Sequence, residues 1–139
     1  MKIKSFEDLE VWRKAHELTL LIYRLTRAFP PDERFGLISQ LRRASSSVAA
    51  NIAEGYGWQT TKELLRSLRI ANGEAEETRY FSLLSKDLSY MNAQEFDTVN
   101  QWCQSVSQLL SALGRSLQAS AARVSSHESR VTQSPRRQT

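Results

Sequence analysis

A chain of 139 residues, 40% hydrophobic and 24% charged, is long enough for a single domain with its own core, and no run approaches the roughly 18 apolar residues of a membrane span. One cysteine, Cys103, rules out an internal disulfide, and the segment after Met1-Lys2-Ile3-Lys4-Ser5 carries acids where a secretory core would be apolar; both features point to the cytoplasm. The net charge of +4 is unevenly spread, +4 over residues 1–70, −3 over 71–119 and +3 over 120–139, so a basic first half faces an acidic second half.

Four helices are predicted in chain order. Ser5 and Asp8 form an S-x-x-D start for the first, about Phe6 to Ala28, where Phe6, Leu9, Trp12, Leu18, Ile22 and Leu25 recur at three- and four-residue spacing. Pro30-Pro31 ends it, because the residue before a proline is pushed out of the helical region. The second helix opens near Asp32 and carries Leu37, Ile38, Leu41, Ala44, Val48 and Ile52 on one face. Gly55 reads as its stop, a glycine supplying a left-handed residue without steric cost. Thr60 and Glu63 restart the chain as a capping box for a third helix, about Thr61 to Tyr90, with Leu64, Leu68, Ala71, Ala75, Phe81, Leu84 and Leu88 as its seam.

Asn92 and Glu95 cap the fourth helix, about Ala93 to Gln118, whose seam is Phe96, Val99, Cys103, Val106, Leu110, Leu113 and Leu117. Short links between long helices force antiparallel neighbours, which makes the fold all-α, an up-down-up-down four-helix bundle over residues 1–119. From Ser120 onward Ser, Arg and Gln dominate, and residues 120–139 read as a disordered tail.

Catalytic chemistry is hard to assemble from these residues. His16 and His127 are far apart in sequence, no H-E-x-x-H or C-x-x-C pair offers a metal site, and Ser45-Ser46-Ser47 lacks the glycine-flanked elbow of a hydrolase. No cofactor, metal or small-molecule substrate is expected. Arg43, Ser47, Asn51 and Glu54 lie four, four and three residues apart, a polar stripe beside the apolar seam of the second helix. With Glu77 of the third helix they read as a structural polar network in which Arg43 pairs with Glu54 or Glu77, and Asn51 satisfies a group at a buried interface. A ligand-binding or nucleic-acid-binding role for the same residues is the alternative.

Several stretches carry a family resemblance. They are Phe6-x-Asp8-Leu9-x-Val11-Trp12, Phe29-Pro30-x-x-Glu33-x-Phe35-Gly36-Leu37, Gln40-Leu41-Arg42-Arg43-Ala44 and Asn51-Ile52-Ala53-Glu54-Gly55. Together they resemble the four-helix bundle proteins encoded within intervening sequences of 23S ribosomal RNA genes and, more distantly, the accessory protein of diversity-generating retroelements. Glu77 falls where that family's third helix places an acid. Trp58 stands where a basic residue is frequent, and Gly73-Glu74 replaces the family's Gly-Ser. The resemblance implies a bundle assembled into a homopentameric ring. Val11, Leu20 and Leu21, off the principal seam of the first helix, and Trp58 in the loop would serve such an interface.

A nucleic-acid surface is expected on the basic first half: Arg13, Lys14, Arg24 and Arg27 on the solvent side of the first helix, extended by Arg42, Arg66 and Arg69. No base-reading module accompanies them, so contacts would go to phosphates of RNA or DNA. The reading is a non-enzymatic, oligomeric binding or scaffolding protein. A protein–protein adaptor whose basic face docks an acidic partner is the alternative.

Overall fold

The first ordered hydrogen bonds belong to a capped turn. In this computed structural model, which describes residues 3–57 and 60–132, the Ser5 hydroxyl accepts the Glu7 amide at 3.3 Å, and the Asp8 carboxylate accepts the Lys4 and Ser5 amides at 2.8 and 3.3 Å. Those backbone donors hold the Asp8 carboxyl below its ordinary range. The turn, Phe6–Asp8, is 3-10; Leu9 is extended at φ −78° and ψ 126°, and only then does α1 begin, Glu10–Thr26. The expected first helix is thus divided, because its capping residues close a turn of their own.

Pro31–Glu33 forms a second 3-10 turn before α2, Leu37–Tyr56. Glu33 reaches forward to accept the Leu37 amide at 2.8 Å, capping the first turn of α2 with a carboxylate. A Cβ on Gly36 would fall 2.5 Å from that carboxylate oxygen. α3 spans Thr61–Asp87, with the Thr60 hydroxyl accepting the Glu63 amide at 3.3 Å. It stops three residues before the expected Tyr90: Ser89 takes a left-handed φ of 65°, and the Tyr90 amide turns back to the Ser85 carbonyl at 2.8 Å. Leu88, expected in the core, is exposed there.

α4 is Ala93–Thr132, opened by a reciprocal box in which the Glu95 amide donates to Asn92 at 2.7 Å and the Asn92 amide to Glu95 at 2.9 Å. It does not stop where composition changes. Residues 120–132 are helical and, as far as their side chains are described, exposed; the last part-buried residue of α4 is Leu117. Alanine, arginine and glutamate are good helix formers, and they extend an existing helix without a new nucleus. Trp58 and residues 133–139 lie outside the described residues.

Among the described residues there are four α-helices and no strand. α2 packs most extensively on α3, α3 on α4, and α1 on both α2 and α4; among the described residues the backbones of α1 and α3 do not come close, nor do those of α2 and α4, so these pairs lie on the diagonals. Two apolar clusters form the core. One joins Val11 and Ala15 of α1 to Val48 and Ile52 of α2, Leu68, Ala71 and Ala75 of α3, and Val106 and Leu110 of α4. The other joins Leu18 and Ile22 to Leu37 and Leu41, Phe81 and Leu84, and Val99 and Cys103. Val11 is therefore a core residue and not an interface one, and Leu21 is half-buried; Leu20 remains exposed.

The α2–α3 seam is lined with small residues. Ser67, Ala71, Ala75, Thr78, Ser82 and Ser85 are all buried on α3. Three of their hydroxyls donate within the helix, Thr78 to Glu74, Ser82 to Thr78 and Ser85 to Phe81, at 2.7–2.9 Å. Gly55 faces this stripe. It is helical and buried, α2 continues one residue further, and no glycine has a positive φ. Its role is close approach: a Cβ there would lie 2.7 Å from Ser67 Cβ. Gly55→Ala gains about 1 kcal/mol of helix propensity but forces the two backbones apart, at a cost of about 1–3 kcal/mol. Urea unfolding should show a net loss for Gly55→Ala, whereas Gly73→Ala, with nothing within 4 Å of the new methyl, should gain about 1 kcal/mol. Equal effects at both positions would remove the close-approach explanation.

Candidate nucleic-acid interface

Arg43 stands on the outer edge of the α2–α3 seam. Its guanidinium pairs with Glu77 and, at 3.3 Å, with Glu74, while Nε donates to Gln40 at 3.1 Å. Of the two partners foreseen for Arg43 the structure brings together Glu77 but not Glu54, and it adds Glu74. Glu54 sits one helix turn beyond Asn51 and is exposed, and no ion pair among the described residues joins it to Arg43. It lines an open groove of about 290 Å³ with Asn51, Glu63, Arg66, Ser67 and Ile70. Asn51 donates to the Ser47 carbonyl one turn back, at 2.8 Å, and so is satisfied within its own helix. Ser47 contributes a carbonyl and not its hydroxyl.

Burial pushes the Glu74 carboxyl above its ordinary value, and the neighbouring Glu77 carboxylate adds to the rise while Arg43 opposes it. The fold therefore favours a proton on Glu74. The stability this confers is present below the ordinary glutamate value of 4.5 and is lost as pH rises through the raised one. Glu74→Gln, followed by urea midpoints between about pH 4 and about pH 7, should flatten that decline and be at least as stable as the parent at neutral pH. Glu54→Ala should fall within about 0.5 kcal/mol of the parent, and Glu77→Ala should cost about 1 kcal/mol because the pair is partly solvated. A large loss for Glu54→Ala would contradict its exposure.

The basic residues do not form one patch. Arg13, Arg24 and Arg27 are exposed on α1, but Arg66 and Arg69 lie on α3, which is diagonal to α1. Spacing along a helix reveals a face, not which helix stands beside it. Arg66 belongs to the Glu54 groove and Arg69 to a hollow against α4 with Leu65 and Asn72. Lys14 turns toward α4, donating to Ser105 at 2.9 Å and lying 3.7 Å from Glu10.

At the α1–α2 corner the arrangement is denser. Arg42 donates through Nε to Thr26 at 2.9 Å, and its guanidinium lies 4.5 Å from the centre of the exposed Tyr23 ring. Thr26 is itself anchored, donating to the Ile22 carbonyl at 2.7 Å. Arg34 lies 5.4 Å over the ring of Phe35, which is 87% exposed. Arg24, next to Tyr23 in α1, and Arg27, the C-cap residue of α1, are exposed, as is the acid Asp32. Phe35 and Tyr23 escaped sequence reasoning because an aromatic beside helical punctuation looks like core. The residues that could have flagged them are the adjacent arginines, Arg34 and Arg24. Such pairs offer cations for phosphates and flat faces on which bases can stack.

Elsewhere, Trp12 stacks on His16 at 5.0 Å and tilts against Phe6 at 4.9 Å, closing the end of the first core cluster. Cys103 is buried, which pushes its thiol up to about 12 and leaves it unreactive at neutral pH. Among the described residues no three His, Cys, Asp or Glu side chains cluster as metal ligands would, and no helix is long and apolar enough to cross a membrane.

Four packed helices with an arginine-rich corner and no clustered ligands define an all-α bundle protein. Residues 7–112 match the family described as 23S rRNA-intervening sequence protein, and the chain belongs to that family. A crystal structure of a protein of unknown function from the S23 ribosomal protein family of Bacteroides thetaiotaomicron is similar in fold. It has a TM-score of 0.68 and 25% identity, over 75% of this chain and 97% of that one. No curated protein matches the chain.

Proposed function

We propose that the helices run up-down-up-down, that copies of the chain close into a ring, a pentamer, and that the ring is a cytoplasmic, non-enzymatic scaffold gripping RNA or DNA through its phosphates. The pairing of helix ends in the two core clusters supports the first element: the start of α1 meets the end of α2, the start of α3 and the middle of α4. Two unlike apolar faces on opposite sides of the bundle support the ring. α1 exposes Leu20 beside the half-buried Leu21; α3, diagonal to it, exposes Ile70, Tyr80 and Leu83. A head-to-tail contact joins two different surfaces and closes when its rotation allows, whereas a two-fold dimer would need one surface to match itself.

The observation that carries the nucleic-acid reading is two exposed aromatic rings, each under a guanidinium, Arg42 over Tyr23 and Arg34 over Phe35, with Arg24 and Arg27 exposed at the end of α1. These residues face no base-reading element, so affinity should come from charge and stacking with little sequence preference. Repetition around a ring would multiply a modest patch.

Mobility shifts with single-stranded RNA and duplex DNA at two salt concentrations test this. Binding should weaken steeply and linearly in log–log form as salt rises. Arg34→Glu with Phe35→Ala should weaken the shift and leave the sedimentation mass unchanged, since both side chains are exposed and neither belongs to the apolar faces offered for the ring contact. No shift at low salt would sink the nucleic-acid reading and favour an adaptor for an acidic protein. A sedimentation mass near 15.9 kDa at micromolar concentration would reject the ring.

A further inference from the structure

The last part of α4 carries cations along its outer side and no acid beside them. Beyond Asp97 the sequence holds a single acid, Glu128, against Arg115, Arg123 and Arg130 in α4 and Arg136 and Arg137 after it. α4 meets the other helices through Val99, Cys103, Val106 and Leu110. With about 3.6 residues per turn, Val124 and Glu128 fall on that same, bundle-ward side of the helix. Arg115, Ala119, Ala122, Arg123, Ser126 and Arg130 fall on the opposite side, and all six are exposed. The three arginines follow one another at intervals of eight and seven residues, a row about 22 Å long on a straight helix. No ion pair among the described residues engages them; Arg123 has a 3.4 Å hydrogen bond to the Ser120 hydroxyl. The small side chains between them leave the guanidiniums standing above a low surface. The family match ends at residue 112, so the whole row lies beyond it.

What fits the row is set by what accompanies it. From Cys103 to Thr132 there is no Phe, Tyr or Trp, hence no ring on which an unpaired base can stack. Past Leu117 the bundle-ward side exposes one large apolar side chain among the described residues, Val124, where a membrane-surface helix needs a band of Trp, Phe or Leu. A straight line of cations matches a straight line of anions, and a nucleic-acid duplex supplies one, stiff over lengths far beyond this helix. We propose that the outer face of the end of α4 is a second phosphate-binding surface, which lies along the backbone of a nucleic-acid duplex. It rests on the nucleic-acid reading for its class of ligand and not on the corner of Tyr23 and Arg42. The end of α1 packs with Met91 and Val99 at the start of α4, so the far end of α4 leaves the bundle away from that corner.

Fluorescence anisotropy of the full chain with a short labelled duplex DNA, repeated across a salt series, tests the surface. Each phosphate contact contributes about 0.9 to the log–log salt slope, so Arg115→Gln, Arg123→Gln and Arg130→Gln together should lower the slope by about 2–3 and weaken binding. Glutamine is a good helix former, and circular dichroism and the sedimentation mass should stay those of the parent. The same three positions changed to Lys should keep the slope, because a phosphate accepts either cation. The drop should recur in the Arg34→Glu, Phe35→Ala background, which separates this surface from the corner, and a single strand of the same length should be affected less than the duplex. An unchanged slope in the glutamine variant of a parent that binds would overturn the proposal and leave the nucleic-acid reading standing. An equal loss in the lysine variant would also overturn it, by tracing the effect to structure and not to charge, and an equal effect on the single strand would overturn the fit to a duplex. No binding by the parent at low salt would remove the proposal and the nucleic-acid reading together.

Discussion

The approach of α2 to α3 is the constraint on which the rest of the fold hangs. Gly55 against Ser67, with Ala71, Ala75 and Thr78 buried behind them, brings two backbones closer than larger side chains would allow. At that distance the stabilisation comes from many dispersion contacts between small groups, because little apolar area per residue is available to bury. Serine and threonine are tolerable in such a seam only because their hydroxyls donate to carbonyls one turn back in the same helix. The bulk of the hydrophobic burial then falls to the facing sides of α1 and α4, whose Leu18, Ile22, Val99 and Val106 fill the space between the pair and the opposite helices.

The same close approach sets the surface. Because α2 and α3 are nearly in contact, a long side chain at their outer edge can span both, and Arg43 does so to reach Glu74 and Glu77. That edge offers no free positive charge, its Arg43 guanidinium being shared between two carboxylates. Free positive charge lies elsewhere, at the α1–α2 corner, where Arg42 is held by Thr26 and Tyr23 and its neighbours Arg24 and Arg27 meet solvent. The division explains how a body with nearly balanced charge can still present one basic, aromatic-rich face.

Much of the fold is legible in the sequence, because helix starts and stops are local chemistry. Pro30-Pro31 and the Asn92–Glu95 box mark their boundaries by what they do to nearby backbone groups, and the buried positions of α4 follow its three- and four-residue spacing. What failed to be legible depends on the helix across the way. A glycine that ends a helix and one that admits a neighbour look alike in sequence, so Gly55 reads as a stop until Ser67 is seen against it. Arg43 and Glu54 share a stripe, yet both acids that meet Arg43 come from α3: Glu77, one of its two expected partners, and Glu74, whose own surroundings in the sequence give no sign of it. Arg66 and Arg69 look continuous with α1 only as long as the diagonal relation of α1 and α3 is unknown. The end of α4 shows a different limit: a polar composition signals lack of burial, which an extended helix and a disordered chain have in common.

Native-state hydrogen exchange at single-residue resolution tests the central claim most directly, since it ranks the amides by the free energy needed to expose them. If the α2–α3 seam holds the molecule together, the slowest amides, opening only with global unfolding, will lie in α2 around Ala44–Ile52 and in α3 around Ser67–Thr78. Those of α1 will open earlier. Slowest exchange in α1 and α4, with α2 and α3 opening first, would contradict the account.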